Sequence, residues 1–267
     1  MILFFCGISN AAKAGKVKPR TWLCYYGDAF EFKHYSPFDL VVFDGHRHPP
    51  LKHKSNGYPK YLGYLSLGET HGKGPLWSHT KGKPYLVKKN EDWNSWLVDV
   101  RDPAWHSLLF EKAIPQIFDS GFDGLFIDTI DSSLSLQSPG IEDALLKIIK
   151  RIRDTYPGKL IAVNRGLPLL PRIAHYIDFV VVEDLYSYFS FEEKDYIKVT
   201  NETRNILLDQ VAAGLKANKN LIVLTLDYAG LKQPKVVEEA IRFSKKRGFI
   251  PYVSTYQLDE IFNYTLN

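Results

Sequence analysis

At 267 residues, 45% hydrophobic and 24% charged, the chain has the balance of a globular protein with a large core, and its length suits one α/β barrel of about 250 residues. The net charge of +4 is spread thinly, densest in "FSKKRG" at 243–248, so the basic stripe of a nucleic-acid binder is missing and no such partner is expected. Only Cys6 and Cys24 occur, with no CxxC and no His/Cys zinc spacing, and no apolar run approaches the roughly 20 residues of a membrane span.

The opening "MILFFCGISNAAKAGK" reads in two ways. Ile2 to Ile8 would serve as the apolar core of a short or truncated secretory signal followed by small residues, or as a packed or floppy segment. No basic stretch precedes it, and Phe5 is too bulky for a lipoprotein site before Cys6. Residues 1–19 are set apart on this ground and 20–267 are taken as one domain.

Short apolar or β-branched runs then recur at 22–27, 38–44, 61–68, 96–101, 124–128, 160–164, 179–183, 221–226 and 249–253. They are nearly continuous rather than alternating, as in parallel strands covered on both faces. Helical patterns lie between several of them. "DPAWHSLLFEKAIPQIFDSG" starts at an Asp102 N-cap with Pro103 behind it, and Pro115 predicts a kink or a two-part helix. "GIEDALLKIIKRIRDTYPG" carries an apolar helical stripe, "PKVVEEAIRFSKKRG" begins at Pro and stops at Gly, and a long helical region is expected over 191–219, broken near 199–201. "GHRHPPLKHKSNGYPK" is too rich in Pro, Gly and Lys for a regular helix and should be an irregular loop. Strands alternating with helices predict a (β/α)8 TIM barrel, with one strand too many; the last run or one of the first two is expected to be the extra one.

The strand ends share a pattern. Tyr26 follows the first run and Asp44 closes the second; Glu69 follows the third; Asp99, Arg101 and Asp102 close the fourth. Asp128 and Asp131 follow the fifth, Asn164 and Arg165 the sixth, Glu183 and Asp184 the seventh, Asp227 and Tyr228 the eighth, and Tyr252 sits in the last. In a parallel barrel these ends converge on the face that carries the active site. Asp102 is most simply a cap, Asp131 and Asp184 would cap or turn, and Asp99 with Arg101 would form an ion pair. Asp128, Glu183 and Asp44 end apolar strands directly, and bringing several carboxylates together is costly unless something offsets their repulsion, so a functional role is expected of them. Asp123, before its strand, falls at the opposite end and is expected to be structural.

Carboxylates without His or Cys partners suit glycoside hydrolysis, or an oxygen-ligand site for Mg²⁺ or Ca²⁺. Aromatic residues near the same ends (Tyr26, Trp96, Tyr186, Tyr228, Tyr252) favour a sugar cleft. His46 and His48 in "DGHRH" offer a metal-hydrolase alternative that lacks a clear third and fourth ligand. No strand ends in Lys for Schiff-base chemistry, and no Gly-rich phosphate cradle appears, so no cofactor is expected.

"YLGYLSLGE" (61–69), "WLVDVRDPAW" (96–105), "GFDGLFIDTID" (121–131), "VNRG" (163–166) and "VVEDLYS" (181–187) resemble, in order and spacing, the endo-α-1,4-polygalactosaminidase-like barrels of glycoside hydrolase family 114. The likeness covers roughly 20–254, and its most specific piece is "GFDG" followed by an apolar run and Asp128. It implies a secreted or cell-surface enzyme, with a cytoplasmic one as alternative, that cleaves an α-1,4-linked galactosamine polysaccharide. By position the catalytic pair falls on Asp128 and Glu183, and Asp44, Glu69, Arg101, Asn164 and Asp227 line the cleft. Tyr26, Asp131, Arg165, Tyr186, Tyr228 and Tyr252 complete the expected substrate-binding set. Asp227-Tyr228 stands where the family usually has Glu-Tyr, and Arg165 stands in an amide-rich position; that cation leaves a neutral or N-acetylated glycan open as substrate. Asp128 is read as nucleophile and Glu183 as acid/base in an apolar setting that raises its pKa, with reversed roles open. A monomer is expected. The rival readings are a non-catalytic carbohydrate-binding barrel and a metal-dependent hydrolase.

Overall fold

The structure is a computed structural model, and it describes residues 17–262. The signal-or-packed reading of the N-terminal segment falls almost entirely outside them. Eight parallel strands follow one another around a barrel in chain order: Trp22–Cys24, Leu40–Phe43, Lys60–Ser66, Gly124–Asp128, Leu160–Asn164, Phe179–Glu183, Ile222–Tyr228 and Ile250–Ser254. This is the expected (β/α)8 architecture. Neighbouring strands pair in register, with Ser66 opposite Asp128, Asn164 opposite Val181 and Leu226 opposite Glu183. The continuous apolar runs are buried on both faces, inside against one another and outside against helices such as Ile141–Thr155 and Pro234–Lys245.

One seam lacks a backbone ladder, between the first strand and the eighth. The first strand is only three residues long, and the eighth carries Pro251, whose missing N–H suits a strand with an unpaired edge. Side chains stitch the gap: the Trp22 indole donates to the Ile250 carbonyl (3.0 Å) and packs edge-on against Tyr252.

Two expectations are corrected. The surplus strand is the run at 96–101, not the last or one of the first two. Ser95–Val98 lies outside the barrel, pairing antiparallel with Glu69–His71 and Leu86–Asn90 in a three-stranded insertion after the third barrel strand. Likewise 191–219 is not one broken helix. Ser187–Ser190 and Asp195–Lys198 form an antiparallel hairpin after the sixth strand, and the helix is confined to Asn201–Ala217, where the Thr200 hydroxyl caps it by accepting from the Thr203 N–H (3.2 Å). The Tyr, Phe and Ile of "SYFS…DYIK" are strand formers that an acidic turn disguises.

Asp102 caps its helix, accepting from the Ala104 N–H at 2.7 Å. Pro115 produces a π-helical widening, Leu109–Ala113, just before Ile114–Asp119: without a donor at 115, the tighter α spacing loses a bond and its ring crowds the preceding turn. Residues 44–59 are irregular, as expected. No helix among the described residues is long and apolar enough to cross a membrane.

The "GFDG" motif is scaffolding at the N-terminal end of the barrel. Gly121 holds a φ of +98°, and a Cβ on Gly124 would sit 2.2 Å from the Leu160 carbonyl oxygen, so only glycine lets the fourth and fifth strands approach. Asp123 between them accepts from the Tyr61 N–H (2.9 Å) and faces Lys60 (3.3 Å) and His53 (3.1 Å).

Candidate active site

At the opposite end, the last residues of the fourth, fifth and sixth strands meet. The Asn164 amide nitrogen donates to Asp128 Oδ1 (2.9 Å) and to Glu183 Oε2 (2.7 Å), using both of its hydrogens. Since those two N–H bonds diverge by about 120° in a planar amide, the two carboxylate oxygens stand roughly 5 Å apart. Each acid has a second neutral donor. Tyr64 gives its hydroxyl to Asp128 Oδ2 (3.0 Å), and Tyr228 gives its own to Glu183 Oε1. Tyr26 packs edge-on against Tyr64 (5.7 Å), and the buried Cys24 thiol lies beneath, held protonated chiefly by its burial.

Burial, then the charge of Glu183, pushes the Asp128 carboxyl up to about 6, against the lowering effect of donors from Asn164, Thr129 and Tyr64.

The residue after each of the three strand ends is left-handed: Thr129 (φ 64°), Arg165 (φ 54°) and Asp184 (φ 57°). None is glycine, and Thr129 is β-branched, so this turn is strained and is kept by its surroundings. The Thr129 hydroxyl accepts from the Gly68 N–H (2.8 Å) and donates to the Asp128 carbonyl (2.6 Å). Arg165 donates from Nε to Asp131 (2.9 Å) and from Nη1 to Asp184 (3.2 Å), and the other oxygen of Asp131 takes the Gly166 N–H (2.8 Å). The guanidinium is therefore occupied by two carboxylates beside the pair.

The remaining expected site residues are spread more widely. Asp44 Oδ1 accepts from the His46 and Arg47 N–H groups (2.7 and 2.9 Å) and shapes the loop beyond the second strand. His48 packs against Phe122 (4.7 Å), and among the described residues no group of three or more His, Cys, Asp or Glu side chains is arranged to hold a metal ion. Glu69 is buried in the three-stranded insertion, accepting from Ser95 and from Asn90 (3.4 Å). Arg101 forks onto Asp99, with two 2.8 Å bonds, and reaches Ser138 and Pro139 across the rim. Asp227 and Tyr228 alternate along the seventh strand, so Tyr228 reaches Glu183 while Asp227 turns into the wall, where Oδ1 accepts from the Tyr186 and Ser187 N–H groups (2.5 and 3.2 Å). Burial pushes the Asp227 carboxyl up to about 7, against those donors. Tyr186 hydrogen-bonds Glu239 (3.1 Å) on the outer helix, and Tyr252 is a core residue whose hydroxyl reaches the Glu260 carbonyl (3.3 Å).

Tyr64, which bonds Asp128, belongs to this cluster, and the strand-end pattern misses it. Its signal is nonetheless present in the sequence: it stands two residues before the end of the third strand, on the same face as Ser66, which pairs with Asp128.

A sequence model of glycoside-hydrolase family GH114 matches residues 8–267. An uncharacterized protein of Deinococcus radiodurans is 26% identical over 245 residues, spanning 85% of this chain and 76% of its own. Among solved structures, the glycoside hydrolase domain of PelA from Pseudomonas aeruginosa superposes with a TM-score of 0.77 at 24% identity, covering 91% of this chain and 98% of that one. Ega3 from Aspergillus fumigatus, in complex with galactosamine, gives a TM-score of 0.63 at 13% identity over 90% and 92% of the two chains. At these identities the structural likeness speaks for the fold.

Proposed function

Since the chain belongs to glycoside-hydrolase family GH114, we propose that it is an endo-acting, retaining glycosidase for an α-1,4-linked galactosamine polysaccharide. One observation supports the mechanism: the Asn164 amide nitrogen bonds both acids, so the two oxygens it joins stand roughly 5 Å apart by amide geometry, which suits a retaining pair better than the roughly 6.5–9.5 Å that an inverting enzyme leaves for water. Asp128 attacks the anomeric carbon while Glu183 gives its proton to the departing glycosidic oxygen. The glycosyl ester on Asp128 is then opened by water, whose proton returns to Glu183. With a carboxyl at about 6, Asp128 is roughly nine-tenths ionised at pH 7, as a nucleophile requires.

The galactosamine polymer is favoured by the galactosamine bound to Ega3, which shares the barrel fold, and by the removal of the objection that Arg165 raised. That guanidinium is paired with Asp131 and Asp184, so it presents no unopposed positive charge to an amino sugar.

The elevated Asp128 carboxyl favours a second reading, with the roles exchanged. Azide separates the two. In Asp128→Gly, azide should restore turnover and yield a glycosyl azide of inverted configuration, whereas in Glu183→Gly the azide product should keep the substrate's configuration. The opposite pattern assigns the roles the other way. The wild-type pH profile gives a second check: with Asp128 as nucleophile, kcat/KM on a deacetylated galactosamine polymer falls as pH drops through about 6, and with Asp128 as acid it falls as pH rises through that value. A first-formed product of inverted anomeric configuration would overturn retention.

A further inference from the structure

Two insertions rise from the face that carries the acid pair, and neither is used by the chemistry. One is the three-stranded unit after the third barrel strand, whose last turn is "NEDWN" at 90–94; the other is the hairpin after the sixth, whose turn is "SFEEKD" at 190–195. They touch at their tips, where Trp93 meets Phe191 edge to face at 5.9 Å. Both rings are 55% exposed, although the residues under them are firmly anchored. Phe189 stacks flat on Tyr256 (4.0 Å) and Tyr196 packs against Phe189 (5.0 Å), fixing the hairpin to the loop after the eighth strand. On the other side, buried Glu69 takes donors from Ser95 and Asn90 and fixes the base of the 90–94 turn.

A rigid support under two exposed aromatic faces is poor design for stability, because each ring leaves apolar area in water. It suits a surface on which pyranose rings stack. Charge sharpens the identity of those rings. Glu91 is paired with Lys89 (2.5 Å), but among the described residues no cation pairs with Asp92, Glu192 or Glu193, which flank the two aromatics. The tips are thus locally anionic on a chain of net charge +4. Carboxylates beside exposed aromatic rings match a cationic sugar, whose ammonium is attracted both to the acids and to the ring faces.

We propose that Trp93 and Phe191, with Asp92, Glu192 and Glu193, form a distal subsite that holds the amino-sugar chain on the rim of the barrel, away from the bond being cleaved. The inference rests on the proposed glycosidase reading and deepens it. It makes length of substrate, rather than the acid pair, the source of affinity for polymer. The tips meet in an edge-to-face aromatic pair, weak enough to part and admit a chain.

The test compares wild type, Trp93→Ala/Phe191→Ala, and Asp92→Asn/Glu192→Gln/Glu193→Gln on a deacetylated α-1,4-galactosamine polymer and on a disaccharide-length aryl glycoside, with melting temperature as the check on folding. For both variants KM on the polymer should rise about tenfold with kcat within about twofold, and the acidic-tip variant should also lose most of the salt dependence of KM. Kinetics on the short substrate should not move. An unchanged polymer KM in both variants overturns the subsite. Affinity electrophoresis through a gel containing the polymer, with each change combined with Glu183→Gln, separates this inference from the reading beneath it. Retardation by intact tips that the tip variants lose, together with no reducing ends from wild type, keeps the subsite and overturns hydrolysis. Equal mobility of all three proteins overturns the subsite whatever the turnover.

Discussion

Asp123 and Asp128 bracket the same barrel strand, and the fold treats them in opposite ways. Asp123, at the N-terminal end, is met by a backbone N–H and by two side chains that carry or can carry positive charge, Lys60 and His53. Asp128, at the C-terminal end, is met by a second acid and by neutral donors alone, Asn164, Tyr64 and the Thr129 backbone. Arg165, a cation beside the pair, is drawn aside by Asp131 and Asp184. Neutral donors fix a carboxylate's position without cancelling its charge, so the geometry is held while the reactivity is kept. On the proposed reading, one end of the strand uses its aspartate for stability and the other for chemistry.

That contrast is open to attack, most forcefully at the pair itself. Asp128→Asn and Glu183→Gln should each lower kcat/KM by about 10⁴-fold, roughly 5 kcal/mol in the barrier, with a melting temperature unchanged or higher because a repulsion has been removed. A variant that kept a tenth of the wild-type rate, or that melted much lower, would place its acid with Asp123.

Asp227 tests whether an elevated carboxyl is enough to signify chemistry. Its carboxyl stands near 7 in the fold and near about 3.9 when unfolded, so between those values the folded state binds more protons. Its contribution to stability is complete below about pH 4 and is lost as pH rises to about 7, amounting to as much as about 4 kcal/mol. Denaturant unfolding of the wild type should show this decline, and Asp227→Asn, which keeps an acceptor for the Tyr186 and Ser187 N–H groups, should flatten it with activity reduced far less than in Asp128→Asn. A decline as steep in the variant would remove Asp227 as its cause. The smallest effect belongs to Asp123→Ala, which should cost about 2–3 kcal/mol in denaturant unfolding and leave kcat near wild type, since it strips a partner from the Tyr61 N–H far from the acids. A large fall in kcat would erase the difference between the two ends.

Much of the fold is legible in the order of residues. Buried parallel strands need continuous apolar runs, so the eight barrel strands stand out, and Asp102 and Pro115 announce a helix start and its disruption. The run at 96–101 misleads because a short segment such as "WLV" looks alike whether a barrel or an antiparallel insertion buries it. The hairpin at 187–198 misleads because "FEEK" reads as helix while the pairing that makes it a turn lies across the chain. Nearness to strand ends suggests Tyr252 and Tyr186 as site residues, but the Tyr252 side chain points into the core and Tyr186, in the bend after the sixth strand, reaches the outer helix.

The sequence by itself determined the barrel and the position of its acids, because burial and strand periodicity are written in the succession of apolar and polar residues. Only the tertiary structure decided what each acid meets. The bridging amide of Asn164, the hydroxyls of Tyr64 and Tyr228 and the diversion of Arg165 are meetings between residues far apart in the chain. The local energies that shape a sequence pattern do not contain those encounters.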